Sequence, residues 1–285
     1  MGDSQKSRQH VKKRPPLLRA LGSAEPPETI AVAGREWRLD ETFKHDSWAA
    51  TATYVSGEDR LICKFNRTQP IFFLPMRWLG RMLARRELGF LERLRDVELV
   101  PTPYAEVRAD GVVLDNAAAR VFIPGEAFHG PEQVTPTFFD DLYALLREVH
   151  ARDMAYVDLH KRENVIVGPG GRPHLIDFQV SFGVAPGAGR VKRAILKRLQ
   201  ETDLYHIRKH HIRCFPETLT PEQIAAWRDP PGIISIHRRI TKPLRSLRRK
   251  LLVTLGVRDA SGMARSEADP EIAFRERNGA NGPKA

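Results

Sequence analysis

One stretch of the chain, residues 156–178, constrains the fold more than any other because it has the pattern of a β-hairpin. Two short apolar runs at residues 165–167 and 174–176 flank the sequence Gly-Pro-Gly-Gly at residues 168–171. Apolar runs of strand length around such a turn predict two paired strands. In an antiparallel hairpin, the start of the first strand lies beside the end of the second.

Three oxygen-bearing side chains are therefore predicted to meet at one end of this hairpin. Asn164 opens the first strand, Asp177 closes the second, and Asp158 enters from the loop just before them. Hard cations such as Mg²⁺ prefer carboxylate and amide oxygens, and they usually bind together with substrate phosphates. The pattern predicts a magnesium and phosphate site with one spare carboxylate at this end of the hairpin. An ordinary buried hairpin with polar ends is the alternative.

The same residues resemble those of a known family. Asp158-Leu159, Asn164, the hairpin and Ile176-Asp177-Phe178 are similar to the catalytic loop and metal motif of the protein-kinase-like superfamily. The residues Asp158-Leu159-His160 are closest to the motif of its bacterial branches. These include the lipopolysaccharide and Kdo sugar kinases, the RIO-type kinases and the aminoglycoside phosphotransferases. The resemblance implies an α+β, two-lobed fold: a small antiparallel β-sheet N-lobe with one helix, and a mainly helical C-lobe. It also implies ATP and Mg²⁺ at the site, with the metal ion held by Asn164 and Asp177.

A lone lysine stands in an apolar strand upstream of the hairpin. In the strand predicted at residues 60–65, Cys63 points to one face, whereas Ile62 and Lys64 point to the other. A lysine on an apolar face is costly unless its ammonium group finds a partner. The resemblance implies that Lys64 is the catalytic lysine that binds the α- and β-phosphates of ATP. An edge-strand lysine that points to solvent is the alternative.

A basic helix with one candidate acidic partner follows that strand. Apolar residues at helical spacing predict a helix over residues 76–96. The resemblance implies that a helix glutamate pairs with Lys64, and Glu87 is the favoured candidate over Glu92. A simple surface pair is the alternative for either glutamate. The apolar run at residues 71–74 is expected to pack locally or to contact lipid or a partner.

The nucleotide is expected to lie between the first strands and the end of the N-lobe. The position of the phosphate-covering loop corresponds to residues 44–51, which contain no glycine. Ser47 and its small neighbours would still let the backbone approach phosphate, while Trp48 either lies at the tip or packs on the lobe. The resemblance places the adenine near Val121 and Ile123, where backbone atoms would bind it.

The resemblance implies that Asp158 orients the attacking hydroxyl or accepts its proton. Asn164 follows Asp158 by six residues instead of the usual five, and Glu163 takes the fifth place. Either the loop carries one extra residue, which we favour, or Glu163 is itself a metal ligand. Gln179 follows Asp177-Phe178 where glycine is usual, and the short segment at residues 181–189 argues against a regulated activation loop.

Two further features are implied around this loop. His160 and Lys161 would contact the transferred phosphoryl group or the acceptor, or else form a solvated basic loop. Asp203, in a helix predicted over residues 191–213, is the candidate carboxylate that anchors the loop backbone.

The net charge and the lack of long apolar runs limit the partners and the location that can be expected for the protein. The 285 residues include 46 Lys and Arg against 35 Asp and Glu, a net charge of +11 that favours anionic partners. No run approaches the ~20 apolar residues of a membrane span, and the N-terminus has no apolar signal core. A cytoplasmic protein is expected, with a peripheral site at the inner membrane face as an option. No aromatic-basic or zinc-finger motif favours nucleic acid as a partner.

The chain divides by composition. A basic amphipathic stripe at residues 236–255 has the form of an interfacial helix on an anionic membrane, with packing on the C-lobe as the alternative. The predicted units are a disordered basic tail (1–27), the N-lobe (28–124), the C-lobe with the catalytic loop (125–232), the basic helix (233–256) and a disordered tail (257–285).

The sequence thus predicts an ATP- and Mg²⁺-dependent phosphotransferase of the lipopolysaccharide-kinase-like or RIO-like type. The acceptor would be a hydroxyl of a lipopolysaccharide-core sugar or of a protein serine or threonine. A catalytically silent pseudokinase that binds nucleotide as a regulatory module is the alternative.

Overall fold

The computed structural model describes residues 15–71 and 73–228, and over these residues the protein is a mixed α+β structure. The described α-helices are α1 (Arg77–Arg93), α2 (Thr137–Ala151), α3 (Arg190–Cys214) and α4 (Pro221–Arg228). The strands of the large sheet are β1 (Thr29–Val32), β2 (Arg35–His45), β3 (Ala49–Ser56), β4 (Asp59–Asn66), β5 (Pro103–Tyr104), β6 (Val107–Ala109), β7 (Val112–Val113) and β8 (Ala117–Val121). The shorter strands are β9 (Glu126–Ala127), β10 (Met154–Ala155), β11 (Val165–Val167), β12 (Pro173–Leu175) and β13 (Phe182–Gly183).

The large sheet is antiparallel throughout, in the order β5-β8-β4-β3-β2-β1-β6-β7. Its strand β2 carries two register shifts against β3, near Leu39 and Thr42. Such irregularities bend a strand and increase its twist, which curls the sheet. A two-residue connection with Gly57 at a φ of 61° joins β3 to β4, as a tight hairpin turn requires.

Alternation along β4 separates a core face from a cavity face, as the sequence predicts. Leu61, Cys63 and Phe65 are buried in the core of the sheet, together with residues of β1, β3 and β8. Ile62 and Lys64 face the other way and line the cavity described below. Helix α1 packs across β4 and β8 on that side.

The second core lies among the helices that follow the large sheet. Helices α2 and α3 pack on each other and on strand β10, and the hairpin β11–β12 joins the same core. Aromatic rings of Phe128, Phe138 and Phe139 contact one another at centroid separations of 5.3–6.0 Å. The predicted boundary at residues 124–125 falls in the connection from β8 to β9.

The sequence patterns identify most of these elements. The helices expected at residues 76–96 and 191–213 are confirmed as α1 and α3. The central hairpin is confirmed, with Val165 opposite Leu175 and Val167 opposite Pro173. Residues 1–14, the predicted basic helix at 233–256 and the tail at 257–285 lie outside the described residues.

The prediction of a disordered tail that extends to residue 27 is wrong for residues 15–27. This segment begins with a 3₁₀ turn at Pro16–Leu18 and packs on the sheet, where Ala20 is fully buried. The backbone amide of Ala20 donates to the carbonyl of Asp46, and its carbonyl accepts from the amides of Thr68 and Gln69. Since these are backbone hydrogen bonds, the polar composition of the segment gives no sign of them.

His210 of α3 is a buried ring within the helical core. Its Nε2 lies 3.1 Å from the carbonyl oxygen of Leu159, to which the neutral ring donates, and burial lowers the pKa of His210 to about 4. Because the unfolded chain binds this proton near pH 6.5, stability is present above that pH and is lost as the pH falls toward 4.

We therefore expect the free energy of unfolding to fall by up to about 3 kcal/mol between pH 7 and pH 4 through His210 alone. Urea unfolding of the wild type and of His210→Gln across this range measures the contribution. The variant should show a shallower loss with acidification, and equal slopes for both proteins would contradict this assignment.

Among residues 15–71 and 73–228, the structure contains no helix with the length and apolarity needed to cross a bilayer.

Candidate active site

A cavity of about 760 Å³ lies between the large sheet and the central hairpin. Strands β2, β3, β4 and β8 form one side of it, and α1 contributes Leu79, Leu83 and Glu87. The hairpin side contributes Asn164, Asp177 and their neighbours. Residues that are far apart in sequence therefore share one space.

Lys64 lies at the junction of these walls and contacts two carboxylates. Its Nζ is 3.1 Å from Oε2 of Glu87 and 2.9 Å from Oδ1 of Asp177. The Lys64 and Glu87 side chains are almost fully enclosed, and Asp177 is more accessible. The contact expected between Lys64 and Glu87 is thus present, and Glu92 instead pairs with Arg95 on the surface.

The charges of this group are coupled. Burial disfavours the Lys64 ammonium, but the nearby Asp177 and Glu87 carboxylates outweigh burial and hold its pKa above the ordinary value. Burial raises the pKa of Asp177, but Lys64 opposes it and the net pKa is lowered. Burial dominates at Glu87, so its pKa is raised despite Lys64. Lys64 and Asp177 are therefore charged at neutral pH, and Glu87, whose pKa is raised, takes up a proton more readily than Asp177 does.

Asp158 is held next to Asn164 at the end of the hairpin. Its Oδ2 accepts hydrogen bonds from Nδ2 of Asn164 at 3.0 Å and from Nζ of Lys161 at 2.7 Å. His160 places Nδ1 3.3 Å from the other carboxylate oxygen, Oδ1. Because the side chain of Asn164 directs Nδ2 to Asp158, its side-chain oxygen Oδ1 is the atom that could bind a ligand.

The backbone before Asp158 has an unusual conformation that a buried acid maintains. Asp203 accepts from the amides of Tyr156 and Val157, each at 2.7 Å, and also lies 3.2 Å from Nε2 of His150. Val157 has a φ of 73°, a region that a β-branched residue rarely adopts. The contact predicted for Asp203 is present, and it fixes the direction in which the chain enters at Asp158.

The two ends of the hairpin are also tied together by backbone groups. The amide of Ile176 donates to the carbonyl of Asn164 at 3.1 Å, and the Tyr156 hydroxyl donates to the carbonyl of Ile176. Asn164 and Asp177 therefore flank one point at the hairpin end, as predicted. Their amide and carboxylate oxygens suit a hard cation whose remaining ligands come from phosphate. Among the described residues no group of three or more His, Cys, Asp and Glu side chains could hold a metal by itself.

The glycine-free segment that corresponds to the phosphate loop is a tight turn. Oδ1 of Asp46 accepts from the amides of Trp48 at 2.7 Å and Ala49 at 2.9 Å, which closes the turn between β2 and β3. Lys44, Asp46 and Trp48 line the cavity. The turn is thus shaped by an aspartate side chain where glycine is usual.

A buried arginine fastens this turn to the N-terminal segment. Arg67 is 1% exposed, and its guanidinium donates to the carbonyls of Ser47 at 2.6 Å and Leu17 at 2.9 Å. It also donates to Pro70 at 3.2 Å, and Arg19 lies at the limit of hydrogen bonding at 3.5 Å. One planar cation therefore joins the turn, the N-terminal segment and the end of β4.

Replacing Arg67 with methionine should lower the free energy of unfolding by about 3 kcal/mol, because buried carbonyls lose a charged donor. Arg67→Lys should recover only part of this loss, since lysine lacks the fork that reaches several acceptors. Urea unfolding measures both effects, and limited proteolysis should show faster cleavage within residues 15–27. The exposed Arg147→Met variant is the control and should change stability by less than about 0.5 kcal/mol.

Gln179, in the place where glycine is usual, connects the hairpin to the large sheet. Its Nε2 donates to Oδ1 of the fully buried Asn66 at 2.6 Å. Nearby, Nη2 of Arg86 in α1 donates to the carbonyl of Ser181 at 2.6 Å. These contacts hold the segment after Asp177 against β4 and α1.

Three predicted nucleotide-binding residues are outside the lining of the cavity. The Ser47 hydroxyl donates to the carbonyl of Leu18 at 3.1 Å, so this side chain faces the N-terminal segment. Val121 ends β8, and Ile123 packs on a cluster that includes the cavity residue Ile176. Their roles concern backbone contacts with a nucleotide and stay predictions.

Arg120 is a cavity residue that the sequence reasoning did not identify. It lies on β8 directly opposite Ile62 and is buried, and its positive charge acts on Glu87. The sequence does contain a pattern that could have identified Arg120, because this residue interrupts an apolar strand in the same way that Lys64 does. Glu163, which also lines the cavity, was considered as an alternative metal ligand.

Comparison of the chain with protein-family models and with curated proteins found no match. The contacts within the cavity, and the motif residues that form them, are therefore what indicates a function.

Proposed function

We propose that the chain is an ATP- and Mg²⁺-dependent phosphotransferase with a two-lobed, protein-kinase-like fold. The observation that carries the proposal is Lys64, which contacts Glu87 and Asp177 across a cavity between the sheet and the hairpin. A structural ion pair alone would not need a second carboxylate beside an open cavity. Protein kinases place a lysine beside a helix glutamate and a metal-binding aspartate for phosphoryl transfer from ATP, and Lys64 lies between two carboxylates in the same way.

In this proposal the sheet and α1 form the N-lobe, and the part from β9 onward forms the C-lobe. Lys64 binds phosphate oxygens, and Glu87 directs its ammonium toward them. Asn164 and Asp177 would hold Mg²⁺, which when bound neutralises phosphate charge. The tight turn at Asp46 borders the cavity, which Asp46, Trp48 and Ala49 line.

Asp158 acts on the acceptor. The acceptor hydroxyl oxygen forms a bond to the γ-phosphorus while the bond from that phosphorus to the bridging oxygen of ADP breaks. The hydroxyl proton passes to the Asp158 carboxylate. Lys161, which is 2.7 Å from Asp158, supplies positive charge where the transferred group would lie. The acceptor is proposed to be a lipopolysaccharide-core sugar or a protein serine or threonine hydroxyl.

One observation favours a second function, that of a silent nucleotide-binding module. The Asp158 carboxylate is engaged by both Lys161 and Asn164, and the loop carries one residue more than usual before Asn164. A pseudokinase would bind Mg²⁺-ATP without turnover.

Transfer of labelled γ-phosphate from ATP distinguishes these functions. The full chain is incubated with labelled Mg²⁺-ATP and separately with protein, lipid and sugar pools from a bacterial lysate. The enzyme should label one pool far more than Asp158→Asn does, and a general acid–base residue is worth about 10²–10⁴ in rate. A shift in melting temperature with Mg²⁺-ATP but equal labelling by both proteins would instead support the silent module. If Mg²⁺-ATP causes no shift in melting temperature and the full chain labels no pool, both proposed functions are contradicted.

A further inference from the structure

The outward face of α1 exposes large apolar side chains. Trp78 is 61% exposed and Met82 is 42% exposed, and both line one shallow groove with Arg81, Arg85 and Arg86. The spacing of four residues places Trp78 and Met82 on the same side of the helix. The opposite side carries Glu87 into the cavity, so this face takes no part in the site proposed above.

The segment before α1 adds to this apolar surface. Ile71 and Leu74 exchange both of their backbone hydrogen bonds, which closes a tight turn. Phe73 at this turn is 90% exposed, and Leu74 is 55% exposed. Contiguous groups of exposed aromatic and aliphatic side chains mark interaction surfaces in soluble proteins.

The charge of the same region has one sign. Residues 67–86 contain five arginines and no acidic residue. Arg77 and Arg85 are exposed, while Arg81 pairs with Asp115 and Arg86 with backbone carbonyls. The surface thus combines apolar side chains with a positive rim.

We propose that this surface, Phe73, Leu74, Trp78 and Met82 with Arg77 and Arg85, docks the protein on an anionic lipid bilayer. Tryptophan and phenylalanine favour the boundary between headgroups and acyl chains, and arginines there attract anionic lipid. A second copy of the chain fits less well, because a symmetric interface would bring arginines against arginines. The proposal does not depend on the phosphotransferase activity.

Vesicle sedimentation tests the docking surface. The full chain is spun with vesicles of phosphatidylcholine alone and with an equal mixture of phosphatidylcholine and phosphatidylglycerol. The wild type should sediment with the mixed vesicles, and Phe73→Ser/Trp78→Ser/Met82→Ser should bind at least about tenfold more weakly. The matched control, Val112→Ser/Val113→Ser, removes two other exposed apolar side chains and should bind as the wild type does.

Arginine variants test the electrostatic part. Arg77→Gln/Arg85→Gln should weaken binding to the mixed vesicles by about tenfold or more, with no loss on phosphatidylcholine alone. Every variant keeps residues 1–14 and 229–285, so their contribution is the same in all samples. A wild type that binds neither vesicle, or variants that bind equally well, would overturn the proposal. A dimer that the serine variant loses would overturn it in favour of self-association.

Trp78 itself provides a readout that does not require a disruptive substitution. Lipids brominated in their acyl chains should quench part of the tryptophan fluorescence of the wild type. Trp78→Phe preserves an apolar ring, so it should still bind, but the quenched component should disappear although Trp37, Trp48 and Trp227 remain. Unchanged quenching in Trp78→Phe would exclude this face from the bilayer.

Discussion

Lys64→Met is expected to abolish measurable phosphotransfer and to lower the free energy of unfolding by about 3 kcal/mol. Removing one partner of a buried ion pair costs about 3–5 kcal/mol because the other partner stays buried and charged. The lower end applies here, since Glu87 already has a raised pKa and can take up a proton, and Asp177 is partly accessible.

The double variant Lys64→Met/Glu87→Gln separates the two effects. It removes both the cation and the most enclosed carboxylate, so it should regain about 1–2 kcal/mol of the stability that Lys64→Met loses. Phosphotransfer should not return, because no group replaces the ammonium that is proposed to bind phosphate. Urea unfolding and labelled-ATP assays measure the two quantities, with the exposed Lys192→Met as the control. A double variant that is no more stable than Lys64→Met would contradict the described coupling.

Asp203→Ala should cause the largest loss of stability, about 3–5 kcal/mol, because two buried backbone amides each lose their acceptor. The amides belong to Tyr156 and Val157, which directly precede Asp158. Released from Asp203, Val157 would leave its left-handed conformation and displace Asp158. Phosphotransfer should therefore fall further than the fraction of folded protein does.

Asp203→Asn should have a smaller effect than Asp203→Ala, because its side-chain oxygen can still accept from one amide while its NH₂ group faces the other. We expect a loss of about 2 kcal/mol in urea unfolding. Glu201→Ala on the same helix removes only a surface pair with Arg198 and should change stability by less than about 0.5 kcal/mol. Equal stability of Asp203→Ala and Glu201→Ala would show that the anchor is not needed.

Periodicity and turn chemistry were sufficient to place the elements that carry the site. Apolar side chains alternate in facing along the strand that contains Lys64, and Gly-Pro-Gly-Gly is a known turn sequence. Both signals can be read from residue types alone, so the strand and the hairpin were predictable. The pairing of Lys64 with Glu87 followed from the resemblance, and the contact is observed. The kinase-like division into lobes and the roles in catalysis stay predictions.

The sequence did not indicate hydrogen bonds from side chains to backbone groups, or between side chains that are far apart in the chain. Arg67 binds carbonyls, which every residue possesses, so no neighbouring residue type identifies its partners. The hydrogen bond from Gln179 to Asn66 joins residues that are far apart in the chain, and neither has a local pattern. The left-handed φ of Val157 contradicts the preference of valine and depends on Asp203.

The N-terminal segment also matters for how the protein is produced. Composition places the start of the ordered domain at residue 28, so a shortened chain would naturally be designed to begin there. Such a chain would lack Leu17 and Arg19, leaving the Arg67 guanidinium buried with half of its carbonyl partners. The turn at Ser47, whose neighbours Asp46 and Trp48 line the cavity, would then lose its contact with the N-terminal segment. Poor nucleotide binding by such a truncated protein would therefore not test the proposed function, and functional assays should use chains that retain residues 15–27.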